Sequence, residues 1–445
     1  MNKHLLFAGM AAAMLMTSCS TDDDLSNGNG GQNGQVGNSD IPVMLSVGQT
    51  PNHTRLVLGN TDQNGNYDGT FDAKGLGIYC LATGKIAGKE DINWRQGYDN
   101  PNFLWMQNVK ADAETTATPV EVLGRKVTNL SFYDANGQNK GTNYFYPMGS
   151  QYSYSFYGYY PYSQNVNHDG NQFSIDVTGL NGCTDLIWGK SEVADDDEFA
   201  DDAFSAKYFR DWFKKEGEKN WDKNIKKHLP NVKFQHKLMK FNIILKKGSG
   251  ESTQLNLLGI KSAKLMNVAT GGTLVIADLD NADNEGKFTV DWNTASNLEE
   301  DALVLKKTVD GKDKDLSEGE GGYPGPFIGE GREEVTIGSG FLVPVPTYNG
   351  DGTYVDNGYA GTDQDQLKNQ GIFRLRVDYY LTSNPDQLYK AAQYEIRPVF
   401  TGVNEGDATW EEGYEYDIVI SVSDPQLIGA TATLTPWNKR TIELE

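Results

Sequence analysis

Histidine and cysteine are scarce: the 445 residues hold five of the first and three of the second. His4, His53, His168, His228 and His236 are scattered, without HExxH spacing, and no cysteines stand at zinc-ligand spacing. No phosphate-cradling glycine motif and no nucleophile elbow occurs. Positive charge is short too, with 39 Lys and Arg against 61 Asp and Glu and a formal net charge of −22. So acidic a chain repels phosphate, which excludes a nucleic-acid partner. Carboxylate pairs abound among so many acids without marking a site, so neither an enzyme nor a cofactor is expected.

Long apolar runs are lacking as well, apart from Leu5 to Met16. A helix needs roughly 20 apolar residues to span a bilayer, so this shorter run behind Lys3 reads as a secretory signal core. It leads into Met16-Thr17-Ser18-Cys19, which resembles a bacterial lipobox, although that pattern favours Leu where Met16 stands. The resemblance implies a signal peptide over residues 1–18 and acylation of Cys19, with palmitate among the chains that anchor it in the outer membrane. Asp22, Asp23 and Asp24 follow, similar to the surface-export signal of certain anaerobic Gram-negative lipoproteins. Residues 19–40 are then a lipidated tether, mostly Gly, Asn, Gln and Ser and unable to bury apolar surface. Setting Cys19 aside leaves Cys80 and Cys183, either a disulfide in an oxidising compartment or two isolated thiols.

What is abundant is β pattern. Ile41, Val43, Leu45 and Val47 alternate with Pro42, Met44 and Ser46. Phe373 to Leu381, Tyr414 to Val422 and Ile428 to Leu434 alternate likewise, each presenting one face to a core and one to solvent. Gly, Asn and Asp clusters separate the runs, as turns require, so the class is all-β, with antiparallel β-sandwiches. One stretch departs: Phe199, Ala203, Phe204, Tyr208, Trp212 and Phe213 stand at helical spacing, with acid before and Lys after. A small helical insertion closed by Pro230 would mark the junction between domains 41–230 and 231–445.

Two loops carry oxygens at alternate positions, as a calcium loop does: Asp62, Asn64, Asn66 and Asp68, and more weakly Asp278, Asp280 and Asp283. Plain Asx-Gly turns read the same way, and the first loop places Ala73 where a bidentate Glu would stand. His236 is expected at a strand edge in a structural role.

Four stretches resemble the fimbrillin family, the subunits of type V pili. They are YSFYGYYPYS from Tyr154, TDLIWGKS from Thr184, VKFQHKLMKFNIIL from Val232, and WEEGYEYDIVISV from Trp410 with ATLTPW from Ala432. The resemblance implies two tandem transthyretin-like β-sandwich domains and assembly with other pilus subunits by strand exchange, in support of adhesion. It also implies that an arginine-specific surface protease removes the lipidated segment together with a first strand at residues 41–49. Arg55 is the only arginine before Arg95, which points to cleavage between Arg55 and Leu56. Leu434, Ile442 and Leu444 are the expected pocket-filling side chains of the donated strand, with Ile428 to Leu434 a second stretch able to serve. The alternative is a monomeric surface lipoprotein that binds glycan or a host ligand on the aromatic run Tyr152 to Tyr162.

Overall fold

The structure, a computed structural model, describes residues 38–49, 73–83, 93–94, 104–114, 120–122, 125–147, 153–193, 197–216, 228–247, 258–266, 268–291, 294, 303–304, 306–309, 312–315, 334–344, 373–381, 384–396 and 410–422. The first half contributes β1 (Asn38–Pro42), β2 (Ser46–Gln49), β3 (Lys74–Ala82), β4 (Leu104–Glu114), β5 (Val120–Val122), β6 (Arg125–Phe132), β7 (Phe145–Pro147) and β8 (Tyr154–Tyr160). There follow β9 (Val166–His168), β10 (Gln172–Val177), β11 (Ile187–Glu192), the helix α1 (Ala206–Glu216) and β12 (Asn231–His236). Next come β13 (Met239–Lys247), β14 (Leu258–Met266), β15 (Gly272–Asp278), β16 (Phe288–Val290), β17 (Leu303–Val304), β18 (Lys306–Val309) and β19 (Lys312–Asp315). The last are β20 (Glu334–Leu342), β21 (Phe373–Leu381), β22 (Asn384–Ile396) and β23 (Glu415–Val422). Among the described residues the chain is thus nearly all β with one α-helix, too short to cross a membrane.

The largest sheet has the order β2-β12-β11-β8-β3-β4-β6-β5, and β2 also pairs with β6. That extra pairing closes the sheet on itself into a ring. Alternate residues of a strand point to opposite faces, and here both faces are buried. Leu76, Ile78 and Cys80 of β3, with Tyr154 and Phe156 of β8, enter the core inside the ring. Tyr79, Leu81, Tyr157 and Tyr159 from the same strands enter a second core on its outer face. Strands buried on both sides read as continuous apolar runs, which is why YSFYGYY does not alternate.

A small sheet, β16-β15-β10-β9, covers that outer face. It takes β9 and β10 from before residue 230 and β15 and β16 from after it, with β10 antiparallel to β15 from Gln172↔Asp278 to Val177↔Gly272. β12, which follows residue 230 directly, lies in the ring between β11 and β2. The two halves expected to meet near residue 230 are therefore interleaved. Their contact is also polar: Trp188 Nε1 donates to the Ile276 carbonyl at 2.9 Å. Glu285 accepts from Tyr157 Oη at 2.9 Å and from Lys190 Nζ at 2.5 Å.

In the second half, β19-β18-β20-β13-β23 and β17-β14-β21-β22 face each other across a third core. Phe241 of β13, Phe373 of β21, Trp410 and Tyr416 of β23 meet there at ring-centroid distances of 4.9–5.9 Å. The alternation in FRLRVDYYL holds in its first half and breaks in its second, where Asp378 and Tyr380 are buried as well. Phe373, Leu375 and Val377 are buried, while Arg374 and Arg376 lie on the other face.

Candidate functional site

The residues expected to form a first strand, 41–49, occupy a groove in the ring. They form two short strands with a break between, because β1 and β2 pair with different partners. β1 lies antiparallel to β7 with an irregular register. At residues 43–45 the chain crosses over, held by Val43 N donating to the Tyr144 carbonyl at 2.8 Å and Leu130 N donating to the Leu45 carbonyl at 3.0 Å. β2 then runs parallel to β12 from Ser46↔Asn231 to Phe234↔Gln49, and antiparallel to β6 at Ser46↔Asn129 and Val47↔Thr128. The alternation seen in the sequence is fully used. Ile41, Val43, Leu45 and Val47 are 3, 9, 2 and 0% exposed, in the same core as Tyr146, Phe156, Val232 and Phe234. At about 1.5–3 kcal/mol for each fully buried aliphatic side chain, this segment contributes several kcal/mol to the ring's core.

Between these apolar positions stands Ser46, itself 1% exposed. Its backbone N–H donates to the Pro230 carbonyl at 3.1 Å. Its hydroxyl lies 3.2 Å from the same carbonyl oxygen and 3.4 Å from Asn231 Oδ1. Asn231 is buried too, at 3%. Strand alternation alone assigns Ser46 to solvent, and its buried partners stand 184 and 185 positions along the chain.

The helical insertion packs on β1 and adds Ala206, Tyr208, Phe209 and Trp212 to the core that holds residues 41–47. Ser205 caps α1, its Oγ accepting from Tyr208 N at 3.1 Å. Lys214 and Lys215 lie in its last turn, whereas the expected acids precede the helix and leave its first turn without a carboxylate. One of them, Asp197, is buried as a hub. It accepts from Tyr208 Oη at 2.5 Å and Trp212 Nε1 at 3.2 Å, with His228 Nδ1 at 3.4 Å. Burial, then Asp197, pushes the Tyr208 phenol well above its ordinary value.

His236 does not lie at a sheet edge. It ends the interior strand β12, 2% exposed, with Nδ1 bonded to the buried Asp185 carboxylate. Of the aromatic run Tyr152 to Tyr162, Tyr154, Phe156, Tyr157 and Tyr159 are at most 2% exposed and fill cores, whereas Tyr160 and Tyr162 are half-buried and Tyr152 lies outside the described residues. Among the described residues no three His, Cys, Asp or Glu converge as a metal site. Asp278 instead closes a turn, accepting from Asp280 N, Asn281 N, Asn284 Nδ2 and Gln172 Nε2 at 2.9–3.0 Å. Cys80 is buried, Cys183 half-buried, and no disulfide joins them. Cys19, Arg55, Leu56, Asp62, Asn64, Asn66, Asp68, Leu434, Ile442 and Leu444 lie outside the described residues.

A family profile described as fimbrillin-like matches residues 93–316, half of the chain. The chain belongs to the fimbrillin-like family. That span runs from Trp94 through the ring to β19, and so includes most of the groove's walls. No curated protein matches the chain significantly. Among solved structures, a Bacteroides uniformis protein provisionally described as a cell adhesion protein aligns at 16% identity, over 89% of this chain and 97% of its own, with a TM-score of 0.42. A fimbrial protein from Bacteroides vulgatus aligns at 14% identity over 89% and 98% of the two chains, TM-score 0.38. The tip fimbrial protein Mfa3 from Porphyromonas gingivalis, with a C-terminal truncation, aligns at 10% identity over 86% and 96%, TM-score 0.33.

Proposed function

We propose that this fimbrillin-like protein is a structural, non-enzymatic subunit of a cell-surface pilus, supporting adhesion and built as two transthyretin-like β-sandwich units that share strands across residue 230. It reaches the outer membrane on a lipid at Cys19. An arginine-specific surface protease cuts between Arg55 and Leu56 and releases the segment that carries β1 and β2. A C-terminal stretch of the next subunit, drawn from the residues that include Leu434, Ile442 and Leu444, fills the vacated groove. Head-to-tail contacts that do not close give a filament.

The observation that carries this reading is the seat of residues 41–47. They bury four alternating side chains in the core, yet they precede the first arginine, and β2 pairs with β12 and β6 rather than with β3, the next described strand. Their loss leaves a strand-shaped groove between β12 and β6 with backbone hydrogen-bonding groups on both walls. Main-chain bonds from a replacement strand would set its register while alternate side chains fill the pockets. N-terminal sequencing of the surface protein tests this. Leu56 as first residue is expected; a uniformly acylated Cys19 on assembled protein contradicts the cleavage step.

A further inference from the structure

The geometry points to a register key in the groove: the buried Ser46 hydroxyl site against Asn231 and the Pro230 carbonyl selects Ile428–Leu434 of a second copy, with Thr433 in the place of Ser46. This rests on the strand-replacement reading above and narrows it to one segment and one register.

Three requirements follow from the way residues 41–47 sit. The replacement must be apolar at the places of Ile41, Val43, Leu45 and Val47, which are all buried. It must be small and uncharged at the place of Ser46, because the Pro230 carbonyl and the Asn231 side chain close around that atom. The Pro230 carbonyl takes a backbone N–H from whichever residue stands there, as it does from Ser46, so a side-chain hydroxyl serves Asn231 Oδ1. A buried acceptor left without a donor costs free energy, and a buried carboxylate there costs more. It must also run in the same direction as β2, to restore the parallel ladder with β12 and the antiparallel one with β6.

Set Thr433 on Ser46 and the rest aligns. Ile428 falls on Ile41, Ala430 on Val43, Ala432 on Leu45 and Leu434 on Val47, with Gly429 and Thr431 between them. Moving Thr431 onto Ser46 puts Gln426 in the buried Ile41 place. The terminal stretch fails more severely: with Ile442 and Leu444 on Leu45 and Val47, Glu443 falls on Ser46 and Arg440 on Val43. That arrangement buries two charges without partners. Both alanines are smaller than the residues they would replace, so the donated strand fills the two middle pockets less tightly than the original. The Ser46 place thus excludes the terminal stretch, which would bring Glu443 there, and the buried Ile41 place excludes the Thr431 register, which would bring Gln426 there.

The test uses the full chain carrying Cys183→Ser, so that Cys80, which is buried, is the one native thiol left beside the lipidation cysteine. Lys233 and Gly48 are ladder partners, and adjacent strands about 4.8 Å apart lie within the Cα range of a disulfide. Lys233→Cys with Gly48→Cys should therefore close within one uncleaved chain, a check that the variants fold with β2 in place. Lys233→Cys with Thr435→Cys, two residues beyond Thr433, is expected to form a disulfide between chains after cleavage by an arginine-specific protease, and none before. Thr433→Val should slow extension about tenfold, the scale of one lost buried hydrogen bond, and Thr433→Ser should restore it.

A between-chain bond from Lys233→Cys to Glu445→Cys instead would overturn the key and leave strand replacement standing. So would a bond from Thr435→Cys to Lys233→Cys of its own chain, or polymers without either bond. Correctly folded, cleaved protein that forms no polymer at all would overturn the strand-replacement reading together with the key.

Discussion

At the scale of single residues, a buried carboxylate and a half-buried imidazole affect stability in ways that a count of apolar contacts omits. Asp197 accepts from Tyr208 and Trp212 beneath α1 and sits beside His228, whose ring stacks on Trp212 at 3.4 Å between centroids. Asp197→Ala would leave these donors buried without their acceptor. The expected loss is about 3 kcal/mol, seen as a lower urea midpoint with an unchanged denaturant slope. His168 packs on Phe173 at 4.3 Å and on Trp94 at 5.7 Å, and its burial lowers the imidazole below its ordinary 6.5, against an opposing pull from Asp169. The folded state therefore binds its proton less readily than the unfolded chain does. That contribution is fully present above about pH 6.5 and is lost as pH falls through the depressed folded value. His168→Phe should shrink the drop in urea midpoint between pH 7.5 and 5.5; an identical drop would remove His168 as its source.

At the scale of elements, legibility followed burial. β21 and β23 were readable because one face packs the third core and the other carries Arg374, Arg376 or Asp417. β3 and β8 lie between two cores, so nothing on them alternates, and their aromatics could pass for a surface platform. The helix was legible from the spacing of Phe204, Tyr208 and Trp212, but not its late start at Ala206. Pairing across distance was not legible at all: nothing local in QFSIDV says that its partner is GTLVIAD a hundred residues on. For the same reason Ser46 looked solvent-facing, since its partners Pro230 and Asn231 are remote. The hairpin β15–β16 makes a prediction at this scale. Gly286 has φ +76°, and a Cβ there would stand 2.4 Å from the Trp188 ring. Gly286→Val combines a left-handed backbone with that clash and should cost about 2–4 kcal/mol. It should also quench the protection of β10 amides in hydrogen exchange before those of β21; uniform loss across both would contradict a local clasp.

At the scale of the whole molecule, the interleaving across residue 230 means that the first half cannot stand alone. A fragment ending at residue 230 lacks β12, β15 and β16, and so uncovers Tyr79, Tyr157, Phe173 and Trp188, which share a core with Leu274 and Ile276. It should be recovered aggregated, whereas the chain from residue 38 onward should be soluble; a soluble, cooperatively folding fragment would show the halves to be independent. One interleaved body suits a filament subunit, because a pull on one half is carried into the other through the β10–β15 ladder and the Lys190–Glu285 ion pair. The filament itself is the central claim, and its most direct test is electrophoresis without boiling of the purified chain after arginine-specific cleavage. A ladder of SDS-resistant multimers that collapses to one band on boiling is the predicted result. Protein that is cleaved at Arg55, remains folded and still runs only as a monomer would contradict it.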